Sequence, residues 1–238
     1  MEHILTAANL SKSYKGCKAL NSLSLHVPQG AIYGLVGKNG AGKTTLIRIL
    51  CGLQEPSGGG YTLAGADSRD KAVLQARRRM GAVVESPAVY QELTAEENLR
   101  VQYNVLGRRD LTAIPDLLKL VGLENTGKKV KNFSLGMRQR LGIAVALAGE
   151  PELLILDEPA NGLDPQGIIE LRRLILKLNR EKGVTILISS HILDELSKLA
   201  THYGFIDAGG MVEEIAAADI AESLEQHYMK LVGGNWDE

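Results

Sequence analysis

The sequence predicts an α/β protein with a parallel core, an antiparallel β segment ahead of it and a helical insertion in its middle. Three observations carry that reading. Apolar strands alternate with amphipathic helical stretches in the later part of the chain, as LLILD, TILIS and YGFID with IIELRRLILKLNREKG and ILDELSKLA between them. The near-continuous apolar run AIYGLVG, Ala31 to Gly37, leads through glycine-rich residues into a helical pattern. From about residue 88 to about residue 150 the periodicity is helical.

Taken in order, ILTAANL, LSLHV and YTLAG read as short strands separated by turn residues, an antiparallel start. AIYGLVG reads as a buried strand, and Lys43 to Cys51 as the helix after it. GAVVE, from Gly81, is another β-branched buried strand that stops at Glu85 before a turn at Pro87. LTAEENLRVQYNVLG, LTAIPDLLKLVGL and MRQRLGIAVALAG read as helices, the first opened by Thr94 with Glu97 in capping-box spacing. The strand–helix alternation that follows argues for parallel pairing, because each crossover helix covers a sheet face. DAGGMVEEI reads as a closing hairpin, and the tail, with Trp236, as a short docking helix with a frayed end.

A chain of 238 residues is long enough for one large domain or two small ones with a substantial core. A net charge of -1 argues against an electrostatic grip on nucleic acid or anionic lipid, so no nucleic-acid partner is expected. The run Arg77 to Arg79 reads as a solvated helix face. Cys17 and Cys51 have neither metal spacing nor a disulfide framework, and both suit a reducing compartment. The opening MEHILTAANL lacks the pattern of a secretory signal. The longest apolar runs, such as LGIAVALAG, fall far short of the ~20 residues of a membrane helix. The chain is expected not to cross a membrane, while remaining free to sit against one through a partner.

GKNGAGKTT, Gly37 to Thr45, matches G-x-x-x-x-G-K-[ST] between a strand and a helix, where its mechanism needs it. Gly40 and Gly42 let successive N–H groups, with Asn39 and Ala41 between and beside them, turn inward on phosphate oxygens. The following helix start adds its dipole, Lys43 reaches the β- and γ-phosphates, and Thr44, beside Thr45, can ligate Mg²⁺. This motif points to nucleotide binding and says little about how the energy is used.

LLILDEP sets Asp157 and Glu158 at the end of a second apolar strand, where open α/β sheets bind ligands. Asp157 can hold a Mg²⁺ shell, and Glu158 can orient or deprotonate the water that attacks the γ-phosphate. TILISSH brings Ser190 and His191 to the end of a third strand, and an imidazole there can sense the γ-phosphate. In NFSLGMRQR, Ser134 is a good helix N-cap, with Gly136 in the first turn.

Together these segments resemble the nucleotide-binding subunit of an ATP-binding cassette (ABC) transporter. FSLGM resembles the family's Leu-Ser-Gly-Gly-Gln segment, keeping Ser134 and Gly136, with Leu135 for the first glycine and Met137 for the glutamine. The resemblance implies that Asp157 and Glu158 are the Walker B acids and His191 the switch histidine. It also implies that Asp164 of NGLD lies in a loop crossing a dimer interface, and that Tyr14 stacks on adenine. It runs from about Ile4 to Ile215, with the motifs in the expected order. A P-loop NTPase cassette over residues 1–215 follows, with a helical subdomain over about 88–150 and a short helical tail over 216–238. Two cassettes are expected head to tail around two ATP, as a homodimer or with a similar subunit. A separate multi-span permease is expected as partner, at the cytoplasmic face of a bacterial membrane.

The family normally has glutamine where this chain has Glu85. That position contributes to the Mg²⁺ and water shell and couples nucleotide state to the membrane subunit. A glutamate keeps the acceptor and loses the amide donor. With SLGMRQRLGIA and the ending SLEQHYMKLVGG, it resembles the bacitracin-resistance and lantibiotic-immunity branch, which moves antimicrobial peptides out of or away from the membrane. A soluble ABC ATPase acting in translation or on DNA is the alternative; such proteins usually carry fused cassettes, coiled coils or zinc cysteines. A small-molecule kinase would leave FSLGM and His191 unexplained.

Overall fold

The computed structural model describes residues 2–124 and 126–233, so Trp236 lies outside the described residues. The chain begins with a long antiparallel pair, β1 (His3–Tyr14) and β2 (Cys17–Pro28), followed by β3 (Ile32–Val36) and α1 (Lys43–Leu50). Next come β4 (Gly58–Leu63), β5 (Ala66–Asp67), α2 (Val73–Arg77) and β6 (Met80–Val83). The helical segment contains α3 (Ala95–Val105), α4 (Ile114–Leu120), a 3₁₀ turn at Val130–Asn132 and α5 (Leu135–Leu147). The second half of the core is β7 (Leu153–Asp157), α6 (Pro165–Lys182), β8 (Thr185–Ser190), α7 (Leu193–Ser197) and β9 (His202–Asp207). It is closed by β10 (Gly210–Ala216), a 3₁₀ turn at Ala217–Asp219 and α8 (Leu224–Val232).

Two sheets result. One is antiparallel, in the order β2-β1-β4-β5; the other has six strands in the order β10-β9-β3-β8-β7-β6. In the second, β9, β3, β8, β7 and β6 run parallel and only β10 returns antiparallel along the edge. The expected hairpin of DAGGMVEEI is the β9–β10 pair.

Every residue of β3, β7 and β8 is buried, which is why β3 and β7 read as near-continuous apolar runs, while β8 buries Thr185, Ser189 and Ser190 around an apolar middle. Their side chains alternate between two packed layers. Leu154, Leu156, Ile186 and Ile188 join the layer of α3, α5 and α6, while Leu153, Ile155 and Leu187 join that of α1 and the antiparallel sheet. The same parity turns Asp157 toward the α1 side.

The helical segment is pressed directly onto the parallel sheet. A Cβ on Gly81 would lie 2.3 Å from the Ala146 carbonyl oxygen, and one on Gly142 would lie 2.6 Å from Pro87 Cβ. Glycine at these two positions lets α5 lie against β6 and the segment that follows it. The expected capping box starts α3: the Glu97 N–H donates to Thr94 Oγ1 at 3.2 Å and the Thr94 N–H to Glu97 Oε2 at 2.7 Å.

Two details differ from the sequence expectation. The strand over GAVVE ends at Val83, and Glu85 stands beyond it with φ 59° in the left-handed region. The arginine run is not one solvated face. Arg77 is half-buried and its guanidinium donates to the Tyr61 hydroxyl, because α2 packs its Val73 and Ala76 side inward; Arg78 and Arg79 are exposed.

Candidate active site

Strand order assembles the site. The C-terminal ends of β9, β3, β8, β7 and β6 lie side by side, and each delivers one piece of chemistry. From β3 the chain enters the loop Gly37–Gly42, where Gly40 (φ 82°) and Gly42 (φ 111°) adopt left-handed backbone. Gly42 is the N-cap of α1, with no side-chain cap and no acidic residue in the first turn. The first N–H groups of α1 therefore face outward without a side-chain acceptor, an arrangement suited to an anion. Thr44 and Thr45 are half-buried in that turn, and Asn39 is exposed on the loop.

Lys43 is buried, and its ammonium is wrapped by the loop. Nζ donates to the Gly37 oxygen at 2.6 Å and the Lys38 oxygen at 3.2 Å, and lies 3.1 Å from Glu158 Oε1. Glu158 is gripped from the other side by His191, with Nδ1 2.6 Å from Oε2. Glu158 also has positive φ, 49°. A non-glycine residue held there by an ammonium and an imidazole is strained backbone fixed by its surroundings, a pattern that favours functional positions. The arrangement suits a carboxylate that takes a proton while the histidine orients it.

Asp157 stands in register with Ser189 across β7 and β8. The Ser189 hydroxyl donates to Asp157 Oδ1 at 2.6 Å and accepts the Glu158 N–H at 2.9 Å, tying the two acids to one anchor. Asp157 Oδ2 is buried and has no hydrogen-bond partner among the described residues. An unpartnered carboxylate oxygen in a dry site is costly unless a cation or its bound water meets it. The donor set, the Asp157 carboxylate oxygen at the end of β7 and the Thr44 hydroxyl in the first turn of α1, is all oxygen and fits Mg²⁺, a hard ion that prefers oxygen. Burial pushes the nearby Cys51 thiol up to about 12, the Asp157 charge adding in the same direction.

The remaining sequence candidates are distributed around this centre. The Glu85 carboxylate meets Arg48 of α1, one turn beyond Thr44, with Nη2 2.6 Å from Oε1. Tyr14, exposed at the end of β1, donates its hydroxyl to Gln54 Oε1. Ser134 caps α5, accepting the Met137 N–H at 3.2 Å, and Asp164 caps α6, accepting the Gly167 N–H at 2.9 Å. Neither Ser134 nor Gly136 bonds to the phosphate loop of its own chain among the described residues. A Cβ on Gly136 would meet nothing closer than 3.8 Å, so packing within the chain does not demand glycine there.

Sequence reasoning passed over three groups. Ser189 sits in TILISSH beside the named Ser190, and only its register with Asp157 exposes its role. Arg48 and the Lys38–Asp207 ion pair (2.9 Å) depend on contacts across the fold.

The model of the family described as "ABC transporter" matches residues 20–161. A model described as "AAA domain, putative AbiEii toxin, Type IV TA system" matches residues 127–197. The bacitracin transport ATP-binding protein BcrA of Bacillus licheniformis is 49% identical over 90% of this chain and 70% of its own. The lantibiotic transport ATP-binding protein SrtF of Streptococcus pyogenes is 45% identical over 94% of this chain and 95% of its own. Among solved structures, an ATP-binding subunit of an ABC transporter superposes with a TM-score of 0.84 at 32% identity, over 96% of this chain and 99% of its own. A dimeric post-hydrolysis ATP-binding cassette bound to ADP and Pi gives a TM-score of 0.80 at 25% identity, over 90% and 98%. Likeness of this depth, on a sheet that gathers a phosphate loop and two acids at one edge, has one reading: the chain belongs to the ABC transporter family, as an ATP-binding subunit that hydrolyses ATP.

Proposed function

We propose that this ATPase powers a separate multi-span permease that moves antimicrobial peptides or similar amphiphiles out of, or away from, a bacterial membrane. The observation that carries the reading is the likeness to two transport subunits named for bacitracin and a lantibiotic, over nearly all of this chain. No helix among the described residues is long and apolar enough to cross a membrane, which accords with a peripheral subunit held at the cytoplasmic face by its permease.

In the chemistry we propose, the α1 N-terminus, the Gly37–Thr45 backbone and Lys43 hold the triphosphate. Asp157 and Thr44 are the residues that would hold Mg²⁺, which when bound neutralises charge on the β- and γ-phosphate oxygens. Glu158 orients the attacking water and takes its proton, and His191 fixes that carboxylate. Ser134 and Gly136 act on the nucleotide of a second cassette, which accounts for a glycine that its own chain does not require. Asp164 lines the same interface, Tyr14 meets the adenine and Glu85 borders the metal shell. The ATPase unit spans 1–215, with 88–150 as its helical subdomain and 216–238 as a tail.

The test is to co-express the chain with a candidate permease and assay peptide-stimulated ATP hydrolysis in proteoliposomes. Stimulation by bacitracin or a lantibiotic supports the reading. A subunit that copurifies with ribosomes or DNA in a nucleotide-dependent way, and with no membrane protein, overturns it.

A further inference from the structure

The tail helix α8 reaches the candidate active site. Gly37, Lys38 and Asn39 of the phosphate loop, His191 and Leu193 at the start of α7, and Tyr228 of α8 line one cavity of about 260 Å³. Tyr228 also packs partly buried against the layer that holds Val36, the last residue of β3. One side chain thus borders both segments that approach the γ-phosphate.

The helix that carries Tyr228 is fixed in place. Ser223 and Gln226 cap its start reciprocally. His227 Nε2 lies 2.6 Å from Glu213 Oε2 on β10, and Nδ1 3.2 Å from Glu222 Oε1. The Phe205 ring of β9 packs at a tilt against both side chains, its centroid 5.5 Å from that of His227 and 6.1 Å from that of Tyr228. The phenol therefore has little freedom to leave the cavity. Tyr228 also adds to the effect of Asp207, whose hydrogen bond is the main reason Lys38 is held above its ordinary range.

We propose that Tyr228 is a positioning residue for ATP hydrolysis: its side chain closes one side of the cavity that Lys38, Asn39 and His191 also line, so that α8 sets the geometry of the γ-phosphate end. The inference rests on the reading of His191 and the phosphate loop as γ-phosphate groups. In the proposed function nucleotide binding rests mainly on the α1 N-terminus and Lys43, which do not line this cavity. Loss of the ring should therefore slow turnover more than it weakens binding.

The experiment is steady-state hydrolysis of Mg·ATP by the full chain. Tyr228→Ala is expected to lower kcat by about tenfold to a hundredfold with KM within about twofold, up to the loss that a small misplacement of a reacting group costs. Tyr228→Phe, which keeps the ring, should restore the wild-type rate. Met229→Ala, next on the exposed side of the same helix, should leave it unchanged. In a His191→Ala background, Tyr228→Ala should cost nothing further, because the two act through one junction. If Tyr228→Ala fails to fold, Tyr228→Leu keeps apolar bulk on the helix and should show the same loss of kcat. A wild-type kcat in the truncated variant, or an equal loss with and without His191, overturns the proposal while leaving the His191 assignment intact. A wild-type rate in His191→Ala alone overturns both.

Discussion

Glu158 shows at the scale of one residue how the site works. Its two oxygens are divided between Lys43 and His191, and its backbone N–H ends on the serine that anchors Asp157. In the proposed chemistry, replacing Glu158 by Gln keeps the shape and removes the proton acceptor. ATP binding should persist while hydrolysis falls by about 10²-fold or more, measured by nucleotide binding and phosphate release. The Cys51 thiol, with its ionisation pushed up to about 12, stays neutral across the physiological range. At about pH 8 a thiol-specific disulfide reagent should label exposed Cys17 first and Cys51 at least about tenfold more slowly. Glu85→Gln breaks an ion pair whose partners are 41% and 56% exposed, so unfolding free energy should change by less than about 1 kcal/mol. An effect on permease-coupled turnover without an effect on stability would mark Glu85 as a coupling residue. Legibility at this scale follows contiguity. GKNGAGKTT, Asp157–Glu158 and His191 are visible because strand, turn and reactive group are neighbours in the chain. Ser189 and Arg48 are not legible in this way, since their partners are 32 and 37 residues away.

Among the elements, α5 carries two glycines with different reasons to be there. Gly142 is held to glycine by Pro87, and Gly136 by nothing among the described residues of its own chain. Gly142→Ala should destabilise the protein by about 1–3 kcal/mol, because the overlap exceeds what a small backbone shift absorbs. Gly136→Ala should leave stability unchanged or raise it by up to about 1 kcal/mol through helix propensity, while lowering ATPase activity. Denaturant unfolding of both variants beside hydrolysis rates separates the two roles. The strands and longer helices are readable because burial imposes period and composition: β3, β7 and β8 have every residue covered, and β3 and β7 admit almost nothing polar before their final residues. Boundaries were less readable. GAVVE suggested a strand to Glu85, yet pairing with β7 stops at Val83, where the chain must turn toward α5.

For the molecule as a whole, sequence alternation announced a parallel sheet but not its order. That β3 lies between β8 and β9 places residues about 150 positions apart in register, Val36 beside Ser190, and no local pattern encodes such a pairing. The single copy of each motif has a consequence for assembly. With ATP and a Glu158→Gln chain, in which turnover is expected to be slow, size-exclusion chromatography should show a dimer that ADP does not support; a monomer in both states would argue against paired cassettes. One contact seen in the fold links these scales mechanically. Gly142 bears on Pro87, two residues past Glu85, and stands eight residues, about 12 Å, along α5 from Ser134. If α5 pivots there, a tilt of about 10° would carry Ser134 roughly 2 Å, by the geometry of a rigid rod of that length. The contact at Pro87 would then be a fulcrum, with Glu85 beside it and the serine at the far end of the lever arm.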